Sequence, residues 1–144
     1  MSLLDQSGSL YEIKLYYKFL DVGGNKKLVV IEDEKAKKML EDETKKKDIE
    51  TLVTQWSNLT WKEQNEVSQL ATRSTGPAGQ KEFSFVVYRD AIVKRCLKSW
   101  NITSNDKPVP VTPDAIDILP GDVVGKLYQK FEKILDYTEE DLGN

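Results

Sequence analysis

The fold is decided by residues 11–19, which read Tyr-Glu-Ile-Lys-Leu-Tyr-Tyr-Lys-Phe. The odd-numbered positions are apolar or aromatic, whereas Glu12, Lys14 and Lys18 stand at even-numbered ones. Successive side chains of a β-strand point to opposite faces, so this alternation predicts a half-buried strand. A turn sequence at residues 21–25 and a β-branched run at residues 28–31 follow, and together they predict an amino-terminal β-hairpin.

A densely charged segment, residues 33–48, comes after the predicted hairpin. Acidic residues repeatedly precede lysines by four positions, as in Glu34 with Lys38, an order that stabilises exposed helices. Few apolar side chains accompany these charges, so the segment is predicted to be a charged helix or a connector. The lysine run 45–47 stands among acids, which argues against a patch for polyanions.

Residues 49–56 fit two different structures. Ile49, Leu52, Val53 and Trp56 recur at helical spacing, whereas residues 52–56 also suit a strand that pairs with the hairpin. The residues leave both interpretations open.

The second half of the chain carries several helix signals. Residues 60–63, Thr-Trp-Lys-Glu, match a capping box and predict a helix from 61 to about 73. Residues 84–99 repeat apolar side chains at helical spacing and predict another. Residues 112–114, Thr-Pro-Asp, begin a brief helix that ends near Leu119, and Pro120 opens the last one.

These elements predict an α+β fold that is mainly helical, with an amino-terminal β-hairpin followed by four or five helices. A chain of 144 residues is close to the commonest domain size, so one domain is expected. Its parts are a loose tail (1–10), the β-hairpin (11–31), the charged helix or connector (33–48), the helical core (49–137) and an acidic tail (138–144).

Composition restricts the function more than any single motif. The chain contains no histidine and a single cysteine, Cys96. Ser-His and Cys-His nucleophiles and the usual zinc ligand sets are therefore excluded. We expect no enzymatic activity and no cofactor, with a carboxylate- or metal-dependent enzyme as the least favoured alternative.

The charge and the hydropathy pattern indicate the compartment and exclude two classes of partner. A net charge of -3 disfavours nucleic-acid binding, for which Lys94, Arg95 and Lys98 form the one candidate basic face. No apolar stretch approaches the roughly 20 residues that span a bilayer. The lone cysteine and an amino terminus unlike a signal peptide favour a reducing, cytoplasmic compartment.

Two tryptophans, Trp61 and Trp100, lie next to predicted helix ends. Such aromatic residues commonly seal cores, but tryptophan is also enriched among the residues that dominate binding energy. The sequence leaves open whether one of them anchors a partner.

Three stretches in the second half resemble a module of small tail proteins of tailed bacteriophages. They are residues 88–103 (Tyr-Arg-Asp-Ala-Ile-Val-Lys-Arg-Cys-Leu-Lys-Ser-Trp-Asn-Ile-Thr), 107–113 (Lys-Pro-Val-Pro-Val-Thr-Pro) and 118–120 (Ile-Leu-Pro). In that module a helix ends in Arg and Trp, a turn leads to a Pro-rich segment, and a Leu-Pro pair opens a last helix. The resemblance covers residues 50–137 and is closest in character to tail assembly chaperones and baseplate-assembly proteins of T-even-type myoviruses.

The resemblance implies a non-enzymatic, chaperone-like assembly factor that binds other virion proteins, such as tape-measure, tube or baseplate subunits, in the infected host cytoplasm. A structural baseplate or tail component, present in the virion, is the alternative, and homo-oligomerisation is left open. We expect Arg95 to stack on Trp100, which closes the core over the extended Pro segment. The candidate contact or architectural residues are Trp61, Tyr88, Arg95, Trp100, Pro110, Thr112, Pro113, Leu119 and Pro120.

Overall fold

Four antiparallel strands form the central sheet of the computed structural model, which describes residues 2–75 and 79–136. The elements are β1 (Leu10–Val22), β2 (Asn25–Ile31), α1 (Asp33–Leu40), β3 (Glu50–Ser57), α2 (Trp61–Ala71), β4 (Thr72–Thr75), β5 (Gln80–Phe83), α3 (Phe85–Cys96), β6 (Leu97–Trp100), β7 (Thr103–Ser104), β8 (Lys107–Pro108), α4 (Pro113–Asp117) and α5 (Gly121–Leu135). The sheet order is β2-β1-β3-β6, so the long strand β1 is central.

The prediction of a mainly helical fold, with an amino-terminal hairpin followed by four or five helices, is wrong. β1 pairs with β3 as well as with β2, and β3 pairs in turn with β6. Residues 49–56, for which the sequence allows a helix or a strand, lie largely in β3. The helix predicted over residues 84–99 ends at Cys96, and residues 97–100 form the strand β6. The sheet therefore forms one layer of the core, and the helices pack against it.

Cross-strand partners explain why β3 is a strand. The register places Leu52 opposite Leu15 and Trp56 opposite Tyr11, so the alternating residues of β3 meet the inward residues of β1. Leu15, Leu52 and Trp56 are all buried. Apolar burial of this kind contributes about 1.5–3 kcal/mol for each large side chain, which outweighs the helical alternative for a segment this short.

The last helix, α5, closes the core over the sheet. Phe131 stacks on Trp56 with ring centroids 4.7 Å apart and an interplanar angle of 26°, and both side chains are fully buried. At the edge of this contact, the ammonium group of Lys130 donates to the carbonyl oxygen of Lys14 and pairs with Asp33. This lysine joins α5 to β1 and to the start of α1.

The charged segment forms the helix α1, which covers part of the opposite face of the sheet. Ala36 is fully buried there, in a small cluster with Ile31 and Ile49 that also contacts Tyr16 and Met39. The two faces of β1 are thus both used, but the second cluster covers only the end of the sheet near β2. α1 ends at Leu40, and a 3-10 turn at Lys46–Asp48 leads into β3.

Other boundaries differ from the sequence-based expectations in detail. α2 stops at Ala71, short of the predicted end near residue 73, because the next residues form β4 and pair with β5. Residues Leu3–Gly8 form a 3-10 helix where a loose tail is predicted. The predicted acidic tail, residues 138–144, lies outside the described residues. Within the described part of the chain, no helix is long and apolar enough to span a bilayer.

The two strands β1 and β2 extend beyond the sheet as a ribbon, residues 18–29. Tyr17 is the last β1 residue opposite β3, where it faces Glu50, and the ribbon beyond it contains only the β1–β2 pairing. Gly23 and Gly24 close its tip with φ angles of 59° and 86°. Two consecutive positive φ angles match a type I′ turn, whose twist suits a β-hairpin.

The buried hydroxyl of Thr54 allows a sharp test of the β1–β3 pairing. It donates to the carbonyl oxygen of Ile13 at 2.7 Å and accepts from Trp56 Nε1 at 2.8 Å. We expect Thr54→Val to lower the free energy of unfolding by about 1–3 kcal/mol, because the indole N–H loses its acceptor. Urea unfolding monitored by tryptophan fluorescence measures this change.

Thr54→Ser is the matched control, since it keeps the hydroxyl and removes only a methyl group. It should be less destabilised than Thr54→Val. Equal stability of Thr54→Val and the wild type would contradict the assigned hydrogen bonds.

Candidate protein-binding site

An open cleft of about 680 Å³ lies where the start of α2, the middle of α3 and the end of α5 approach one another. We call it the Leu59 cleft. The polar residues that line it include Thr60, Gln64 and Asp136. The apolar and aromatic residues that line it are Leu3, Leu4, Leu59, Tyr88, Ile92 and Leu135.

Three hydrogen bonds fix the part of the Leu59 cleft near α2. Asn58, directly after β3, donates from its side chain to the hydroxyl of Tyr11 at 2.9 Å. Thr60 Oγ1 accepts from the backbone N–H of Glu63 at 3.2 Å, and Glu63 Oε1 accepts from the backbone N–H of Thr60 at 3.1 Å. This capping box fixes where α2 begins and therefore which side chains border the cleft.

The capping box leaves Trp61 at the first position of α2 with 77% of its surface exposed. Trp61 directly follows Thr60 and precedes Gln64 by about one helical turn, and both of those residues line the Leu59 cleft. Leu3 and Leu4, which line the same cleft, are 90% and 87% exposed. A rim of large exposed apolar side chains around a cleft is typical of a protein-binding surface.

The structure shows which of the two tryptophans, Trp61 and Trp100, packs against the core and which is exposed. Trp100 is half-buried against the core, and its Nε1 donates to the carbonyl oxygen of Val109 at 2.6 Å, which holds the extended Pro segment in place. Trp61 makes no side-chain hydrogen bond to any of the residues that the structure describes. The core tryptophan is Trp56.

Most other candidate residues have architectural positions. Arg95 binds Glu66 at 2.6 Å and so joins α3 to α2, in place of the expected stacking on Trp100. Thr112 caps α4 by accepting from the backbone N–H of Ala115 at 3.1 Å, and Pro113 is at its first turn.

The remaining candidates differ in their surroundings. Pro120 precedes α5 as its cap residue, and Pro110 is exposed between β8 and α4. Leu119 lines a groove between α3 and α5. Only Tyr88 joins the Leu59 cleft, where its ring also contacts Phe83 at 5.4 Å between centroids.

The candidate basic face is largely neutralised by carboxylates. Lys94 Nζ lies 2.9 Å from Asp117 and 3.1 Å from Asp90, and these contacts raise the pKa of the ammonium group, the one with Asp117 most strongly. Arg95 is paired with Glu66. The face therefore does not offer three unpaired cations to a nucleic-acid backbone.

Cys96 is enclosed in the core at 0% exposure. Burial raises the pKa of its thiol to about 12, and the nearby Glu63 carboxylate adds to that increase. A thiol is nucleophilic only when deprotonated, so Cys96 behaves as a small apolar side chain at neutral pH. Among the described residues, no group of three or more cysteine or acidic side chains is arranged to hold a metal ion.

Sequence reasoning identified only part of the Leu59 cleft. The capping box located Trp61, and the resemblance singled out Tyr88. Leu3, Leu59 and Leu135 are far apart in the sequence, each at or near the end of an element. No local pattern predicts that they approach one another.

No family model matches the chain, and comparison with curated proteins and with solved structures gives no significant match. The resemblance of residues 50–137 to phage tail proteins therefore stays a prediction.

The Glu63 carboxylate makes the capping box sensitive to pH. The hydrogen bond from the Thr60 backbone lowers the pKa of Glu63 below its ordinary value. A lowered native pKa contributes stability above the unfolded value of about 4.3, and this contribution is lost as the pH falls through the native value. We expect Glu63→Gln to be less stable than the wild type at neutral pH, and this deficit to shrink as the pH falls below the unfolded value. Thermal unfolding across this range measures the difference, and a deficit that persists in acid would contradict the assignment.

Cys96 offers a second test of the site. We expect iodoacetamide to leave the native protein unmodified at pH about 8 and to label it fully in denaturant, because only unfolding exposes the thiol. Intact-mass spectrometry measures the fraction labelled. Rapid labelling of the folded protein would contradict the burial of Cys96 and would revive a nucleophilic role.

Proposed function

We propose that this protein is a non-enzymatic, chaperone-like assembly factor that binds another protein through the Leu59 cleft and the adjacent Trp61. The observation that carries the proposal is Trp61 itself, a tryptophan 77% exposed beside an open apolar cleft. An indole exposed to solvent contributes no burial energy to the folded monomer. Its burial lowers the free energy only when a partner covers it.

The energy available at this surface is adequate for a specific complex. A tryptophan buries about 150–250 Å² when it is covered, which corresponds to roughly 4–6 kcal/mol at about 25 cal/mol per Å² before the costs of association. Leu3 and Leu4, which line the cleft, add further exposed apolar surface. The polar groups of Thr60, Gln64 and Asp136 can fix the orientation of the partner.

The resemblance of residues 50–137 supports a particular setting for this activity. We propose assembly of the tail or baseplate of a tailed bacteriophage, with a tape-measure, tube or baseplate subunit as the partner, in the cytoplasm of the infected host. In this role the cleft covers an apolar segment of the partner until that segment reaches its final position.

A structural baseplate or tail component is the alternative function. The ribbon of β1 and β2 favours it, because apolar side chains and an open strand edge suit a permanent interface. Presence of the chain in purified particles supports the structural role. Its absence from particles, together with a complex in the lysate, supports the chaperone role.

Co-expression with tagged tail and baseplate subunits tests the proposal. We expect one of them to retain the wild-type chain, and Trp61→Ala to weaken retention at least tenfold, as substitution of an anchor residue commonly does. Because Trp61 is exposed, the stability of the variant should not fall. Biolayer interferometry on the purified pair measures the affinity.

Leu70→Ala is the matched control, since Leu70 is 59% exposed on the same helix but lies about two and a half turns after Trp61, away from the residues that line the Leu59 cleft. It should bind as the wild type does. Retention by no subunit would overturn the phage assignment, and equal binding by Trp61→Ala would overturn the site. Turnover of phosphoesters by the purified chain would favour the carboxylate- or metal-dependent enzyme.

A further inference from the structure

The ribbon carries an apolar face that nothing in the described chain covers. Even-numbered residues of β1 share one face, and Leu20 and Val22 on that face are 41% and 56% exposed. Lys27 lies opposite Leu20 on β2, so its side chain is on the same face. An isolated two-stranded hairpin is at best marginally stable in water, so a ribbon of this kind gains from being covered.

The electrostatic environment of this face is basic. Lys27 has no ion pair among the described residues. The adjoining pocket, which begins beside the ribbon, is lined by more lysines than acids: Lys18, Lys35, Lys38 and Lys45 against Asp42 and Asp48. A partner for the face must therefore combine apolar surface with excess negative charge.

A groove of about 250 Å³ between α3, α4 and the start of α5 has this combination. Its rim exposes Val86, at 66%, and Ile118, which is 85% exposed and lies between two lining residues. The apolar side chains that line it are Val86, Val93, Ile116, Leu119 and Val124.

Two glycines leave the α5 side of this groove open. Gly121 and Gly125 are one turn apart, and a Cβ atom added at either would meet no atom within 4 Å. Glycine inside a helix destabilises it relative to alanine, and no close contact within the chain requires Gly125. The backbone of α5 is thus accessible to an approaching chain.

The rim of the groove is acidic. Asp90 and Asp117 line it, and Asp122 stands in the first turn of α5 between the two glycines. Lys94 is shared between Asp90 and Asp117, so two carboxylates have one bound cation. Arg89 also lines the groove, and its guanidinium lies 5.9 Å from the ring centroid of Phe85. With Asp122 included, three carboxylates stand against the two cations Lys94 and Arg89, so a small excess of negative charge remains around the groove.

We propose that the ribbon of one copy docks into this groove of a second copy, so that the protein assembles head to tail. Leu20 and Val22 enter among Val86 and the exposed Ile118, and Lys27 meets the acidic rim. Contacts between two ribbons are disfavoured, because they would bring the lysines of the two copies together. Since the two surfaces differ, every contact leaves a free ribbon at one end and a free groove at the other.

This contact is independent of the Leu59 cleft. Val86, Asp90 and Val93 of α3 face the groove, whereas Tyr88 and Ile92 face the cleft. Self-assembly and the binding of another protein therefore use different faces of the same helix, and each is tested without the other.

A mixing experiment tests the proposal with two single-site variants of the full chain. Leu20→Glu disables the ribbon and keeps the groove, whereas Val86→Lys disables the groove and keeps the ribbon. Both positions are exposed, so both variants should fold, which circular dichroism checks. Leu70→Glu, at an exposed site outside both surfaces, is the control and should self-associate as the wild type does.

In sedimentation velocity we expect the wild type to form species larger than its 16.5 kDa monomer as concentration rises. Each variant alone should lose at least tenfold in association constant. Their mixture should form a heterodimer and nothing larger, because only one intact ribbon and one intact groove can meet. Raising the salt concentration should weaken wild-type association, as screening of the lysine–aspartate contacts requires.

Three outcomes would overturn the proposal. They are a wild type that stays monomeric at all accessible concentrations, a Leu20→Glu or Val86→Lys variant that self-associates normally, and a mixture that stays monomeric. Formation of the heterodimer also shows that both variants are folded, so loss of association cannot be attributed to misfolding.

Discussion

The pairing of β3 with β1 is the constraint on which the rest of the structure depends. It brings Leu52 against Leu15 and places Trp56 beneath Phe131, so it joins the sheet to α5. Because β3 begins at Glu50, the outer part of β1 pairs only with β2 beyond Tyr17 and continues as the ribbon. Because β3 ends at Ser57, the chain enters the capping box at once, and Trp61 is presented to solvent. The ribbon and the exposed position of Trp61 both follow from where this one strand starts and stops.

The sequence predicts those elements whose signals are local. The alternation in residues 11–19, the capping box at Thr60 and the Thr112-Pro113 helix start depend on neighbouring residues, and they have direct structural counterparts. Residues 49–56 did not allow a decision, because their apolar spacing satisfies both the helical and the strand period. Residues 97–100 continue an apolar helical pattern, yet they pair with β3. In both places, pairing with a strand distant in sequence determines the secondary structure, and no local sequence pattern indicates that pairing.

The same limit applies to the candidate site. Local motifs identify Trp61 and Tyr88. Tyr88 lines the Leu59 cleft, and Trp61 directly follows Thr60, which lines it. Trp100 and Arg95 belong to the same motifs but hold the Val109 carbonyl and the Glu66 carboxylate. A sequence motif alone does not distinguish residues that stabilise the fold from residues that anchor a partner. The same residue types, such as tryptophan and arginine, serve in both roles. The distinction requires the exposure of each side chain, which depends on how α2, α3 and α5 pack.

Because α3 lies between the Leu59 cleft and the groove, the two proposed contacts can form on one copy at the same time. A chain of copies joined ribbon to groove leaves the Leu59 cleft of each copy unobstructed, because that cleft lies on another face of α3. Several clefts held in a row bind an extended or repetitive partner with far higher avidity than one cleft does, because each later contact is intramolecular. A cleft that is weak alone is then sufficient for a long partner, and it releases short fragments readily. Such a difference suits a factor that must hold a partner during assembly and let it go afterwards.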